Sequence, residues 1–281
     1  MYSNKLKVGD IIVVSGFRPS AGTSTAAAMI ASTMAARGEK VLLLTLDSDQ
    51  PFDGPSLLSN DTVDCHLDEM IVLENSNGLN DGNVEDYVSF VTPELGYTRA
   101  SAKVARITKD PSRTMCHIMD IACYQFRYVI LDMGFANIVD PTPYYNKAAL
   151  VVSLLTQDGK SVQAAKNFFK ADQFGEDKFV VPVIADFMED LSCDDAFYEK
   201  QLKHDCVFAM NHDPAVYDAC AKRDIANFVY KNMKLKNNGG KSLFGKKKQT
   251  DGEVEGLNPT VAAYDVICDK IAEALVHEED A

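Results

Sequence analysis

The chain has 281 residues, of which 46% are hydrophobic and 25% are charged, and its formal net charge is −13 at pH 7. This length and apolar content allow one large α/β domain with a full core, and the acidic balance argues against a protein that coats nucleic acid with its whole surface. No signal-peptide core or bilayer-spanning apolar run is found, so we expect a cytoplasmic protein. Seven scattered cysteines without a C-x-x-C pair favour reduced thiols.

The most informative stretch is Ile11 to Thr25 (IIVVSGFRPSAGTST), which an Ala-rich segment follows directly. An apolar run, a short loop over Pro19 to Gly22 and helical spacing predict strand, loop and helix. Backbone N–H groups at such a helix start favour phosphate, and a hydroxyl of Thr23, Ser24 or Thr25 could ligate Mg²⁺. The spacing is that of a P-loop with Thr23 in place of its lysine; simple helix capping is the alternative.

Two further apolar runs end in acidic residues. The segment Val41 to Pro51 predicts a buried strand that ends just before Asp47, and RYVILDMG predicts a strand that ends at Asp132. The second has the form of a Walker B site, whose carboxylate orients Mg²⁺. Because ligands of open α/β sheets bind at the carboxyl ends of strands, both acids are expected near the phosphate loop.

The rest of the chain alternates between strand and helix patterns. Further strands are predicted at Tyr87 to Val91, Leu150 to Leu155, Phe179 to Ala185 and Cys206 to Met210, and helices at about 110–125, 160–171 and 258–277. Such alternation predicts a mainly parallel sheet with right-handed crossovers. The predicted fold is therefore α/β, a three-layer, Rossmann-like P-loop NTPase fold in which helices flank the sheet. Asp213 is expected to cap a helix that Pro214 opens.

A basic segment lies on this acidic chain. Seven lysines and no acidic residue fall between Lys231 and Lys248. Its Asn and Gly content predicts a flexible loop at 231–256, between a domain at 1–230 and a C-terminal helix at 257–281 that packs back on that domain. Because Leu243 and Phe244 lie beside lysines, the segment is also a candidate for peripheral contact with the inner face of an anionic membrane.

With these motifs in order along nearly its whole length, the chain resembles the MinD/ParA group of deviant P-loop ATPases. Within that group it is most similar to the CpaE/TadZ branch, which positions pilus-assembly machinery in bacterial cells. SAGTST is similar to the family loop G-V-G-[KT]-[ST]-T, and RYVILDMG and HDPAVYDA follow in family order. The resemblance implies ATP and Mg²⁺ as cofactors, a homodimer, and protein partners in a pilus or secretion assembly; the net charge disfavours nucleic acid.

The resemblance also assigns residues to the site. Those it places around the nucleotide are Arg18, Ser20, Ala21, Gly22, Thr23, Ser24, Thr25, Asp186, Asp213 and Pro214. Ser24 would ligate Mg²⁺, Asp132 would hold the metal through water, and Asp47 would orient the attacking water beside the metal. Arg18 stands in place of the signature lysine that crosses the dimer interface, and it could act in trans as an arginine finger.

Two departures from the family pattern bear on activity. Thr23 replaces the lysine that bridges the β- and γ-phosphates, which predicts weak or absent hydrolysis. Asp186 replaces an asparagine that reads the base, and a carboxylate can accept a hydrogen bond from adenine N6 but cannot donate one to N7. The leading hypothesis is an ATP-dependent dimerising switch that positions an assembly such as a Tad-type pilus. A nucleotide-independent adaptor is the alternative, and membrane or DNA positioning through the lysines is a third hypothesis.

Overall fold

The computed structural model describes residues 8–45, 53–59, 66–100, 104–135, 140–170, 179–191, 194–203, 207–238 and 257–276. The predicted water-orienting acid, Asp47, lies outside the described residues. So do residues 239–256, which hold most of the predicted basic loop.

The described residues form one sheet of eight strands. These are β1 (Asp10–Gly16), β2 (Val41–Thr45), β3 (Ser89–Thr92), β4 (Leu95–Thr98), β5 (Tyr128–Phe135), β6 (Leu150–Leu155), β7 (Phe179–Phe187) and β8 (Phe208–Asn211). Their order across the sheet is β3-β4-β2-β5-β1-β6-β7-β8. Every neighbouring pair is parallel except β3 and β4, which are antiparallel at one edge.

Helices cover both faces of this sheet. They are α1 (Thr23–Ala36), α2 (Gly54–Leu58), α3 (Leu67–Asn75), α4 (Val104–Ile107), α5 (Pro111–Ala122), α6 (Thr142–Lys147), α7 (Gly159–Lys170), α8 (Asp195–Leu202), α9 (Pro214–Lys222), α10 (Ile225–Asn238) and α11 (Pro259–Val276). Side chains alternate along β1, so Ile12 and Val14 join the core under α1, α10 and α11, whereas Ile11 and Val13 join the core under α3, α5 and α6. The predicted three-layer α/β fold is confirmed.

Helix α1 lies at the centre of one layer. Its residues Ala26 to Ala31 are at most 1% exposed. The alanines in this stretch are small, so α2, α10 and α11 can approach the helix closely. At its C-terminus the Arg37 guanidinium donates to Asp265 on α11, with Nε 2.8 Å from Oδ1. Gly38 follows in the left-handed region, with φ of 93°, and ends the helix.

Two of the differences from the sequence prediction concern the basic segment and one edge of the sheet. Residues 231–238 of the predicted loop belong to α10, which buries Ile225, Val229 and Met233 at intervals of four residues. This spacing is a helical signal that the Asn and Lys content obscured. The short strand β4 was not predicted, because its sequence LGYT offers only four residues and a central glycine.

Candidate functional site

The loop after β1 leaves the start of α1 open. Ser20 and Gly22 both have left-handed backbones, with φ of 60° and 78°, so the chain reverses sharply before the helix begins. Gly22 is the N-cap, and no side chain caps the helix there. The N–H groups of residues 23–25 have no partner within the helix, because the first turn lacks preceding carbonyls. This is the local geometry that favours an anion.

A cavity of about 630 Å³ opens in front of this helix start, at the carboxyl ends of β1, β7 and β8. The predicted site residues that line it are Ser20, Ala21, Gly22, Thr23, Ser24, Thr25, Asp186 and Asp213. Arg18 and Pro214 are not among its lining residues; each is next to one that is. Residues from α9 and α11, including Tyr217, Thr260 and Tyr264, form the opposite wall. The structure thus brings together most of the residues predicted to surround a nucleotide.

Asp132 lies buried behind the loop, next to Ser24. Its Oδ2 accepts a hydrogen bond from Gly54 N and its Oδ1 accepts one from Gly134 N, both at 2.9 Å. The Ser24 side chain lies close enough to this carboxylate to favour its charged form. Burial raises the pKa of the Asp132 carboxyl, and these hydrogen bonds oppose the rise. The pair fits a Mg²⁺ site, because the Ser24 oxygen can donate to the carboxylate while its lone pairs face a metal.

Thr23, at the position of the P-loop lysine, is 5% exposed. A Cβ atom built on Gly16 would lie 2.3 Å from the Thr23 Oγ1, so the hydroxyl packs directly over the Gly16 backbone. Within the described part of the chain, no lysine or arginine lines the cavity. A phosphate there would be held by backbone N–H groups and hydroxyls rather than by a side-chain cation.

Arg18 is held by an acid of its own chain. Its Nη1 lies 2.6 Å from Asp158 Oδ2, which also accepts a hydrogen bond from the Thr156 hydroxyl. Asp158 further accepts from the backbone N–H groups of Lys160 and Ser161 at the start of α7. Partial burial acts to raise the pKa of Asp158, but these hydrogen bonds lower it to about 2. Arg18 would therefore have to exchange Asp158 for another anion before acting on a partner subunit.

Asp186 is presented to the cavity by an irregularity in β7. The pairing of β7 with β8 shifts register between Ile184 and Phe187, and Asp186 has a left-handed φ of 55°. Such bulges re-aim side chains, and non-glycine residues in this region cluster at functional sites. The Asp186 Oδ1 lies 2.5 Å from His212 Nδ1, and its carboxylate also lies close to Tyr217. Burial raises the pKa of Tyr217, and the charge of Asp186 raises it further.

Asp213 joins two helices at the cavity rim. Its Oδ1 accepts a hydrogen bond from Ala215 N at 2.8 Å, which confirms the predicted cap of α9. Its Oδ2 accepts from Asn258 Nδ2 and Thr260 Oγ1, each at 2.8 Å, beside the start of α11. Burial acts to raise the pKa of Asp213, but these hydrogen bonds lower it overall. Both carboxylate oxygens are thus engaged within the chain, and direct contact of Asp213 with a base stays a prediction.

Several residues of the site were missed by sequence reasoning. Asp158 could have been found, because an acid directly before a predicted helix is a capping signal. His212 lies in the loop between β8 and α9 and contacts Asp186. Tyr217 and Thr260 carry no local signal, since they reach the cavity only through the packing of α9 and α11.

Known structures share this fold. No protein-family model and no curated protein matches the chain. A ParA family ATPase from Chlorobium tepidum superposes with a TM-score of 0.68 at 15% identity, covering 80% of this chain and 94% of the other. The cell division ATPase MinD of Pyrococcus furiosus gives 0.66 at 14% identity, covering 94% and 99%. MinD of Pyrococcus horikoshii, solved with Mg-ADP, gives 0.66 at 11% identity, covering 94% and 96%. The chain therefore has the fold of ParA and MinD ATPases.

Proposed function

We propose that this chain is a MinD/ParA-like switch that binds a purine nucleoside triphosphate with Mg²⁺ and dimerises around it. The resemblance of its motifs implies ATP as that nucleotide. The observation that carries the proposal is the closeness of the Ser24 side chain to the buried Asp132 carboxylate, directly behind the uncapped start of α1 and in front of a cavity of about 630 Å³. An anion site and a metal-compatible pair at one sheet edge are the two parts that such a switch requires.

Each part has a role in the proposal. The backbone N–H groups of residues 22–25 would hold the phosphates, and Ser24 would ligate the metal while Asp132 fixes the orientation of the hydroxyl. Mg²⁺ would neutralise phosphate charge that no described lysine or arginine of the cavity neutralises. Asp47 is proposed to orient the attacking water, although it lies outside the described residues.

Hydrolysis in this proposal is slow or absent. Thr23 supplies no charge to the developing transition state, and a catalytic cation of that kind contributes orders of magnitude in rate. Arg18 could supply a charge in trans only after leaving Asp158, at 2.6 Å. The lifetime of the dimer would then depend on nucleotide release or on a partner that rearranges Arg18.

We further propose that the switch positions a cellular assembly, and the resemblance to the CpaE/TadZ branch supports a Tad-type pilus as that assembly. A peripheral membrane contact through Lys231 to Lys248 belongs to the same proposal. Two of its lysines, Lys231 and Lys234, are exposed on α10. Among the described residues, no helix combines the length and apolar character that crossing a bilayer requires.

A nucleotide-independent adaptor is the second candidate function. It is favoured by the composition of the cavity, whose described lining includes two aspartates and neither lysine nor arginine. In this alternative the Ser24–Asp132 pair and its glycine partners serve only to hold the loops together.

Titration calorimetry with ATP or ADP, with and without Mg²⁺, separates the two candidates. The switch predicts Mg²⁺-dependent binding that Ser24→Ala weakens. Ser32→Ala is the matched control, because Ser32 lies on the same helix and its buried Oγ has no hydrogen-bond partner among the described residues. Absence of heat at millimolar nucleotide with Mg²⁺ would favour the adaptor and contradict the switch.

A further inference from the structure

We propose that the base end of this cavity selects guanine over adenine through the Asp186 carboxylate. This inference rests on the proposed function, because it names which purine nucleotide the same site takes. The resemblance implies ATP, so the inference is a departure from that expectation and comes from the side chains present.

Of the two acids that the described residues contribute to the cavity lining, one has a carboxylate that a base could use. A Cβ atom built on Gly22 would lie 3.5 Å from Ala185 Cβ, so the end of β7 follows directly beyond the phosphate loop. The next residue, Asp186, lines the cavity, and its side chain is 44% exposed. Asp213, the other lining acid, is occupied by Ala215, Asn258 and Thr260. Asp186 is therefore the acid with room for a ligand.

The orientation of Asp186 is fixed before a ligand arrives. His212 Nδ1 lies 2.5 Å from its Oδ1, and Tyr217 lies close to the same carboxylate. A carboxylate has about four lone-pair positions, so two partners leave positions open on the cavity side. The rings of His212 and Tyr217 are 5.0 Å apart, so the two side chains near this carboxylate also contact each other. Held in this way, the carboxylate can receive a base without reorganising.

Hydrogen-bond chemistry then distinguishes the two purines. The Watson–Crick edge of guanine presents N1–H and the N2 amino group side by side, and these two donors match the two oxygens of a carboxylate. The same edge of adenine presents one donor at N6 beside an acceptor at N1, which a carboxylate repels. A bidentate side-chain contact to a base discriminates against the wrong base by about 1–3 kcal/mol. The lower part of that range corresponds to about a tenfold difference in affinity. We expect Mg-GTP to bind at least about tenfold more tightly than Mg-ATP.

Calorimetric titration of the full chain with Mg-GTP, Mg-ITP and Mg-ATP tests this selection. Inosine keeps N1–H and lacks the N2 amino group, so ITP is expected to bind with intermediate affinity. Asp186→Asn replaces one acceptor by a donor, and we expect it to remove or reverse the preference for GTP. Asparagine tolerates a left-handed backbone, so the variant is compatible with the φ of 55°. Asp190→Asn is the matched control, because it makes the same charge change four residues further on, outside the cavity lining.

The outcomes separate this inference from the proposed function. GTP bound more tightly than ATP, with the preference lost in Asp186→Asn and kept in Asp190→Asn, supports the inference. ATP bound as tightly as GTP overturns the inference and leaves the proposed function intact. A GTP preference that Asp186→Asn does not change overturns the role of Asp186. Binding of none of the three nucleotides overturns both proposals. Matched thermal melting curves of the variants show that each is folded.

Discussion

The Asp213→Ala substitution tests the connection between the cavity rim and the C-terminal helix. It removes the cap of α9 and two hydrogen bonds of 2.8 Å to Asn258 and Thr260. A lost cap costs about 1 kcal/mol, and each part-buried hydrogen bond adds about 0.5–1 kcal/mol after allowance for solvent. The expected loss of unfolding free energy is about 2 kcal/mol, which lowers the melting temperature by about 4–8 °C in a chain of this size.

Thermal unfolding followed by circular dichroism measures this loss. Asp218→Ala is the matched control on the same helix, because Asp218 is 61% exposed and contacts only the exposed Lys222 among the ion pairs described for it. A surface pair of this kind contributes less than about 1 kcal/mol. Since the folded-state pKa of Asp213 is lowered from 3.8, its contribution is present above that pH and is lost as the pH falls further. Equal melting temperatures for Asp213→Ala and Asp218→Ala at pH 7 would refute the connection.

Three further contacts are tested by substitution. Arg37→Met removes the guanidinium that contacts the buried Asp265 and should cost about 2–3 kcal/mol in urea unfolding. Asp269→Asn, at an acid that is 59% exposed, should cost less than about 1 kcal/mol, and equal costs would contradict this arrangement. Gly16→Ala should lower the free energy of unfolding by about 1–3 kcal/mol, because the new Cβ clashes with Thr23 Oγ1. Adding Thr23→Ala should recover part of that loss, and additive effects of the two substitutions would show that the hydroxyl lies elsewhere. Because the pKa of Asp158 is lowered to about 2, the stability that this carboxylate contributes is complete above pH 3.8 and is lost as the pH falls towards 2. The difference in melting temperature between wild type and Asp158→Asn should therefore shrink over that interval. A constant difference would argue against the lowered pKa.

Local sequence patterns predicted the central strands of this fold well. The segments around β1, β2, β5, β6 and β7 are continuous apolar runs bounded by polar turns, which is how a strand buried on both faces reads in sequence. The Ala-rich helix after the phosphate loop was equally clear. Helix α10 was missed over residues 231–238 because lysine and asparagine dominate its composition, although Ile225, Val229 and Met233 keep the helical spacing.

The contacts that define the site could be predicted only in part. The loop, Ser24 and Asp132 follow from motif and strand order. The hydrogen bond from Gly54 to Asp132 joins residues 78 apart in sequence, and that from Asn258 to Asp213 joins residues 45 apart. No periodicity encodes such pairs, because they depend on how separately formed elements pack. The pairing of Arg18 with Asp158 is of the same kind, and it changes the expectation that Arg18 is free to reach a partner.

The most direct test of the central claim is the mass of the protein in solution, measured by light scattering with Mg²⁺ and saturating ATP or GTP. A nucleotide-dependent switch predicts that the mass doubles with at least one triphosphate and stays monomeric with Ser24→Ala, while Ser32→Ala behaves as wild type. A constant mass under every condition, with nucleotide binding absent from the titrations, would contradict the switch.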